Sequence, residues 1–153
     1  MRRLRCRTIV DFPDPGTYSI GKLYSSRFYQ MLLRHLAPAG VVSVQSTSPL
    51  VAPKSYWCIA KTIQSVGLHV SPYRVSVPTF GVWGFVLASR EPCGGAEELA
   101  EEVRPALRFL TTESMQSLFV LPTDLTPVEC DLNRLDNQVL VRYYEQEWRA
   151  GGS

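Results

Sequence analysis

No glycine-rich phosphate cradle occurs in these 153 residues: GxGxxG, GxGxG and the P-loop pattern are all missing, and the glycines at 40, 67, 81, 84, 94 and 95 sit at turns or hairpin positions. Such a cradle needs backbone N–H groups converging where a side chain would collide, so no nucleotide phosphate site can be named from this sequence. The four cysteines (Cys6, Cys58, Cys93 and Cys130) include no CxxC pair, and neither His35 nor His69 stands at ligand spacing. That excludes the usual zinc arrangements and a disulfide framework; no metal site is expected, and the thiols read as reduced cysteines of a cytoplasmic domain. A GxSxG elbow is missing as well. No apolar run reaches the roughly 18 residues of a membrane helix, and the basic start Met1-Arg2-Arg3-Leu4-Arg5-Cys6-Arg7 lacks the apolar stretch of a secretory signal. Charge of one sign is scarce too: 16 Lys and Arg against 14 Asp and Glu leave a net +2, with arginines scattered, which makes nucleic acid a poor partner.

What is present suits one soluble α/β domain. Hydrophobic residues make up 45% and charged residues 20%, enough for a sizeable core. Thr8-Ile9-Val10 reads as a buried strand stopped by Asp11 and two prolines. From Lys22 to Leu36, Leu23, Phe28, Met31, Leu32 and Leu36 recur at helical spacing. Val41 to Val44 follows as a second strand, completing a βαβ unit. Lys54 to Val66 is a second amphipathic helix closed by Gly67, and Val70 to Val77 with Val82 to Ala88 form an antiparallel hairpin. Beyond it the pattern predicts helices over Ala96 to Val103 and Leu107 to Phe119, with an irregular stretch from Pro122 to Asn137. The whole reads as a mostly parallel sheet with a terminal antiparallel hairpin and a helical C-terminal tail.

The chemistry-bearing residues gather where strands end. In an open α/β sheet, ligands collect outside the carboxyl ends of strands, and Asp11 and Asp14 leave the first strand in Val10-Asp11-Phe12-Pro13-Asp14-Pro15. Two such acids can bind a metal, serve as acid and base, hold a cation or merely cap turns; their types alone do not decide. Gln45 and Ser46 end the neighbouring strand. Phe80, Trp83 and Phe85 around the hairpin, with Tyr24 and Tyr29 on the first helix, add rings, and rings beside carboxylates suit an alkylammonium ligand or simply a core.

In these segments the chain resembles the spermidine synthases, the polyamine aminopropyltransferases. Asp11-Phe12-Pro13-Asp14-Pro15 matches their Asp-x-x-Asp-Pro loop, Leu23 to Tyr29 the helix after it, Val44-Gln45-Ser46 their strand ending in Gln, and Val77 to Ala88 their closing hairpin. Arg108-Phe109-Leu110-Thr111, Asn133 to Asn137 and Val141-Arg142-Tyr143-Tyr144 are similar to the bacterial branch whose full-length members carry an N-terminal membrane region. The resemblance implies a Rossmann-like, methyltransferase-like fold. It also implies transfer of an aminopropyl group from decarboxylated S-adenosylmethionine, a co-substrate rather than a bound cofactor, to putrescine, giving spermidine and methylthioadenosine. By position in the motif, Asp11 is the proton acceptor, Asp14 holds substrate amine, Gln45 and Trp83 line the polyamine channel, and Tyr18 stands near the adenine where many members have a proline.

The family's Gly-Gly-Gly-Asp-Gly loop and the rest of its adenosine half have no counterpart in this sequence. Residues 1–90 therefore match the carboxyl half of a catalytic domain, with 91–153 as an extension packed on it. The resemblance further implies that the Thr8 to Val10 strand is central in the full sheet, so that its edge would lie open here, inviting a homo-oligomer or pairing with a complementary half. Two other functions stay in play: a non-catalytic interaction fragment using that edge, and a small-molecule methyltransferase of the same fold.

Overall fold

The computed structural model describes residues 7–79, 81–92, 99 and 101–151. Its strands and helices run in the order β1 (Arg7–Val10), α1 (Tyr18–Gly21), α2 (Ser26–His35), β2 (Val41–Gln45), α3 (Pro53–Gln64), β3 (His69–Val77), β4 (Gly81–Ser89), α4 (Thr112–Leu118) and α5 (Val139–Gly151), with 3₁₀ turns at Lys22–Tyr24, Arg104–Ala106 and Thr123–Leu125.

Among the described residues the strands form one four-stranded sheet, ordered β1-β2-β4-β3. β1 and β2 are parallel, joined by the expected helical crossover, with Val10 opposite Val44. β4 runs antiparallel to both β2 and β3, with Gln45 opposite Phe85 and Phe85 opposite Tyr73. The α/β class and the terminal hairpin are as expected. Parallel pairing, however, is confined to β1 and β2, because the second hairpin strand inserts between β2 and β3 instead of adding to the outside.

Alternation along the strands decides which face each side chain takes. Val10, Val42, Val44, Val86 and Ala88 point to one face and form the core with Tyr29 and Leu36 of the α2 region and Tyr56, Ile59 and Ile63 of α3. The other face carries Ile9, Ser43, Gln45, Tyr73, Trp83 and Phe85. Tyr73 there stacks on Phe85 at 5.2 Å and meets Phe119, just after α4, at 5.0 Å. Among the described residues β1 pairs on one side only, and Ile9 is 81% exposed.

The helix expected over Lys22 to Leu36 is broken. Ser25 is extended (φ −83°, ψ 157°), and its hydroxyl accepts the Phe28 N–H, capping α2. A serine that bonds backbone locally offers an alternative to a continuous helix, and periodicity is blind to it. α3 begins with Pro53 in its first turn, where the missing N–H costs nothing, and Gly67 after it takes φ +95°. α4 is shorter than expected because Thr111 caps it through a reciprocal bond pair with Ser114. Of the helix expected over 96–103, residues 101–103 form a turn; the remainder, apart from Leu99, lies outside the described residues, as do Phe80, Cys6 and Cys93.

The irregular segment before α5 is knitted in by Asn133, which is fully buried. Its amide donates to the Gly21 carbonyl, its side-chain oxygen accepts from Leu140 N–H, and its backbone N–H reaches Thr62 Oγ1. Asn137 Oδ1 accepts from Arg134 and Val139 N–H. The Asn-rich tail motif thus ties α1, α3 and α5 together.

Cys58 and Cys130 are buried free thiols. Burial first, then neighbouring Cys130, pushes the Cys58 thiol from its ordinary 9.0 up to about 12. The fold disfavours the thiolate, so this contribution to stability is complete below about pH 9 and is lost as pH rises towards 12. Buried Tyr24, Tyr29 and Tyr56 are raised by burial too and act in the same direction. Thiol labelling read by mass spectrometry at neutral pH is expected to modify Cys58 only after denaturant is added, and Cys58→Ala is expected to flatten part of the alkaline loss of stability.

Candidate active site

The parallel pair ends at a cavity of about 360 Å³, lined by Ile9, Val10, Asp11, Ser43, Gln45, Val77, Trp83 and Phe85. It lies on the sheet face opposite the helical core, at the carboxyl ends of β1 and β2, where the crossover leaves a crevice. Its volume falls in the range of small-molecule sites.

Asp11 is the cavity's acid. It follows the last residue of β1, is exposed, and its side chain makes no hydrogen bond or ion pair among the described residues. Gln45, by contrast, is 9% exposed and held at both ends. Its Nε2 donates to Asp14 Oδ1 at 3.1 Å, and its Oε1 accepts from the Tyr24 hydroxyl at 3.1 Å. Tyr24 is fully buried, with the Phe12 and Pro13 carbonyls also within reach at 3.2 and 3.1 Å. Burial above all, then the negative charges of Asp14 and Asp11, raises its pKa, so the phenol stays a donor at neutral pH.

Asp14 lies behind this wall. Besides Gln45 it accepts from Thr47 Oγ1 at 3.4 Å and from the Tyr144 hydroxyl at 2.9 Å, both on Oδ2. Thr47 is fully buried and adopts φ +62°, a left-handed conformation that costs a β-branched residue about 1–3 kcal/mol. The same conformation turns its carbonyl to the Gly84 N–H at 2.7 Å, while Ser46 N–H reaches the Gly84 carbonyl at 2.9 Å. The end of β2 is thereby clamped to β4.

The structure brings Asp11, Gln45 and Trp83 together around one cavity, with Phe85 beside them. It places Asp14 one bond away, through Gln45. Tyr18 stands apart: it begins α1, is 62% exposed and does not line the cavity. Tyr29 belongs to the core and packs edge-on to Phe28. Nothing in the sequence marks Tyr144 or Thr47 as a partner of Asp14. The Tyr143-Tyr144 pair stands out in the sequence, yet nothing local connects it to a loop 130 residues earlier.

Residues 7–96 match the spermine/spermidine synthase domain. The chain belongs to the spermine/spermidine synthase family. It is 45% identical over 140 residues to the polyamine aminopropyltransferase of Leptospira interrogans, covering 92% of this chain and 27% of that protein. With polyamine aminopropyltransferase 2 of Ralstonia nicotianae it shares 45% identity over 142 residues, 93% of this chain and 28% of the relative. The chain thus spans about a quarter of the length of the curated relatives it matches. The crystal structure of spermidine synthase from Thermotoga maritima superposes with a TM-score of 0.59 at 24% identity, over 65% of this chain and 36% of that one, which establishes the shared fold.

Proposed function

We propose that this chain supplies the amine-binding side of an aminopropyltransferase site. An amine of putrescine would attack the aminopropyl carbon bonded to the sulfonium of decarboxylated S-adenosylmethionine. The new C–N bond forms as the C–S bond breaks, and its electron pair stays on sulfur as methylthioadenosine departs. The proton lost by the nitrogen passes to Asp11. The observation that carries the reading is that Asp11, Gln45 and Trp83 wall one cavity at the carboxyl end of β1, in a chain of this family.

Physical chemistry fits each part. Only a neutral amine is nucleophilic, so the site needs an acceptor without competing partners, and Asp11 has none among the described residues. Apolar walls from Ile9, Val77 and Phe85 suit a chain of methylenes, and Trp83 offers a π face to a cation. Asp14 as ammonium anchor is a narrower proposition: three of its roughly four lone-pair positions already accept internal donors, so it offers a substrate N–H about one more. Tyr18 as a neighbour of the adenine belongs to the same proposal, its exposure leaving it open to a ligand. We propose that the activity is cytoplasmic and that the chain falls in the bacterial branch whose full-length members carry an N-terminal membrane region; no described helix is long and apolar enough to cross a membrane.

Calorimetry tests this. Putrescine is expected to bind the chain, with affinity reduced about tenfold or more by Asp11→Asn and by Gln45→Ala, the usual scale for losing a hydrogen bond to a charged group. Binding of neither putrescine nor methylthioadenosine would sink the reading. It would leave the second, in which the edge of β1 that has no strand partner among the described residues, with exposed Ile9, takes up a strand from another chain; size-exclusion chromatography with light scattering distinguishes a monomer from such an assembly.

A further inference from the structure

The hydroxyl of Tyr144, on the C-terminal helix α5, donates to Asp14 Oδ2 at 2.9 Å. We propose that Tyr144 is a positioning residue that, through Asp14, fixes which end of the Gln45 amide faces a cationic ligand in the cavity.

Gln45 can be satisfied in two orientations unless a neighbour forbids one. Tyr24 does not forbid either, because its oxygen can accept from an amide N–H while its own proton goes to the Phe12 or Pro13 carbonyl. Asp14 does. A carboxylate is acceptor-only, so the group facing it must be Nε2, which donates to Oδ1 at 3.1 Å. The carbonyl is thereby turned to Tyr24, where Oε1 accepts one hydrogen bond at 3.1 Å and keeps a second lone pair for a ligand N–H. With the amide reversed, an ammonium arriving at Gln45 would meet N–H donors.

This device works only if Asp14 Oδ1 stays where it is. Gln45 itself is one tether, and the other two converge on Oδ2: Thr47 at a long 3.4 Å and Tyr144 at a short 2.9 Å. Tyr144 is thus the stronger of the two bonds that set the carboxylate independently of Gln45. Its phenol is available, since burial and then its bond to Asp14 raise its pKa and keep it protonated at neutral pH. Helix α5 is itself held by Asn133 at Leu140 and by Glu147 at α3, so it is a rigid mount for the hydroxyl. The carboxyl-terminal extension therefore completes the polar wall that residues 11 to 45 begin.

For its effect on ligands the inference rests on the aminopropyltransferase reading; for its effect on Gln45 it does not. In the full chain, the side-chain amide resonances of Gln45, assigned by their loss in Gln45→Glu, are expected to move in Tyr144→Phe. They should stay in place in Tyr143→Phe, which deletes a hydroxyl on the same helix that bonds Asp131 instead. A general loosening of α5 would move them in both. As a second measurement that retains the phenol, 3-fluorotyrosine at 144 should show a displaced fluorine signal when Asp14→Asn is introduced. Putrescine affinity by calorimetry is expected to fall about threefold to tenfold in Tyr144→Phe and to hold in Tyr143→Phe. Unmoved Gln45 resonances in Tyr144→Phe, an unmoved fluorine signal, or unchanged affinity in a chain that binds putrescine would each overturn the proposal. A parent chain that binds no putrescine counts against the aminopropyltransferase reading, and the two spectroscopic comparisons then decide the positioning role.

Discussion

Replacing Gly84 by alanine is expected to lower stability by about 3 kcal/mol, near the upper end of what overpacking a tight core costs. An alanine Cβ there would lie 2.5 Å from Tyr56 Cε2, 2.7 Å from its Cδ2 and 2.8 Å from Pro49 Cδ. None of these can retreat. The Tyr56 ring is fully buried, and its hydroxyl lies 3.1 Å from the Phe85 carbonyl; Pro49 is part of the backbone turn leaving β2. Shifting β4 outward instead would stretch the two bonds that Gly84 makes with Ser46 and Thr47, and through them disturb Gln45. Gly67→Ala is the comparison: its φ of +95° disfavours a side chain, but nothing lies within 4 Å, so a loss of about 1 kcal/mol is expected. Urea unfolding of the two variants measures the difference, and equal midpoints would show that the Tyr56 ring yields.

Glu147→Ala is expected to cost about 2–3 kcal/mol, because one carboxylate serves the start of a central helix. α3 has Ala52 at its N-cap and no side-chain cap of its own. Glu147 takes that place from α5: Oε1 accepts Lys54 N–H at 2.6 Å, and Oε2 accepts Ser55 N–H at 3.0 Å and the Ser55 hydroxyl at 2.6 Å. Its negative charge also sits at the positive end of the helix dipole. Alanine would strand the Ser55 groups, which are fully buried. Glu147→Gln keeps one acceptor and is expected to recover roughly half the loss on the scale of single hydrogen bonds. Thermal unfolding of the three proteins tests this; a Gln variant no better than Ala would place the effect in packing instead.

Both effects hinge on contacts that local patterns do not announce. The strands were legible because β-branched runs bounded by Pro, Gly and Asp alternate faces with a period of two, and the crossover followed from one amphipathic helix between two of them. The break at Ser25 was not, since a serine cap inside an otherwise periodic run changes no apolar position. The insertion of β4 beside β2 was not either: the hairpin reads the same whichever of its strands joins the sheet. Asp11 and Gln45 share one crevice because strand ends converge there, whereas Trp83 joins them in the sequence only through the family resemblance. Asp14 was assigned by chain neighbourhood to the same crevice, but its partners Thr47 and Tyr144 depend on a left-handed residue and on a helix from the far end of the chain. Neither leaves a mark at the loop itself.

The clamp formed by Ser46, Thr47 and Gly84 also bears on how the protein breathes. Two backbone hydrogen bonds beyond the β2 ladder bind the strand end to β4, the strand at the centre of the hairpin pairing. Local opening that released Gln45 would have to break them and free Gly84 from Tyr56, so amides of the polar wall are expected to exchange as slowly as those of the sheet. The Asp11 to Pro13 edge, exposed at both of its ends, has no such bond to β4 and can exchange quickly with solvent. One side of the cavity is thus tied to the global unfolding of the domain, while the side that bears Asp11 is left free to adjust.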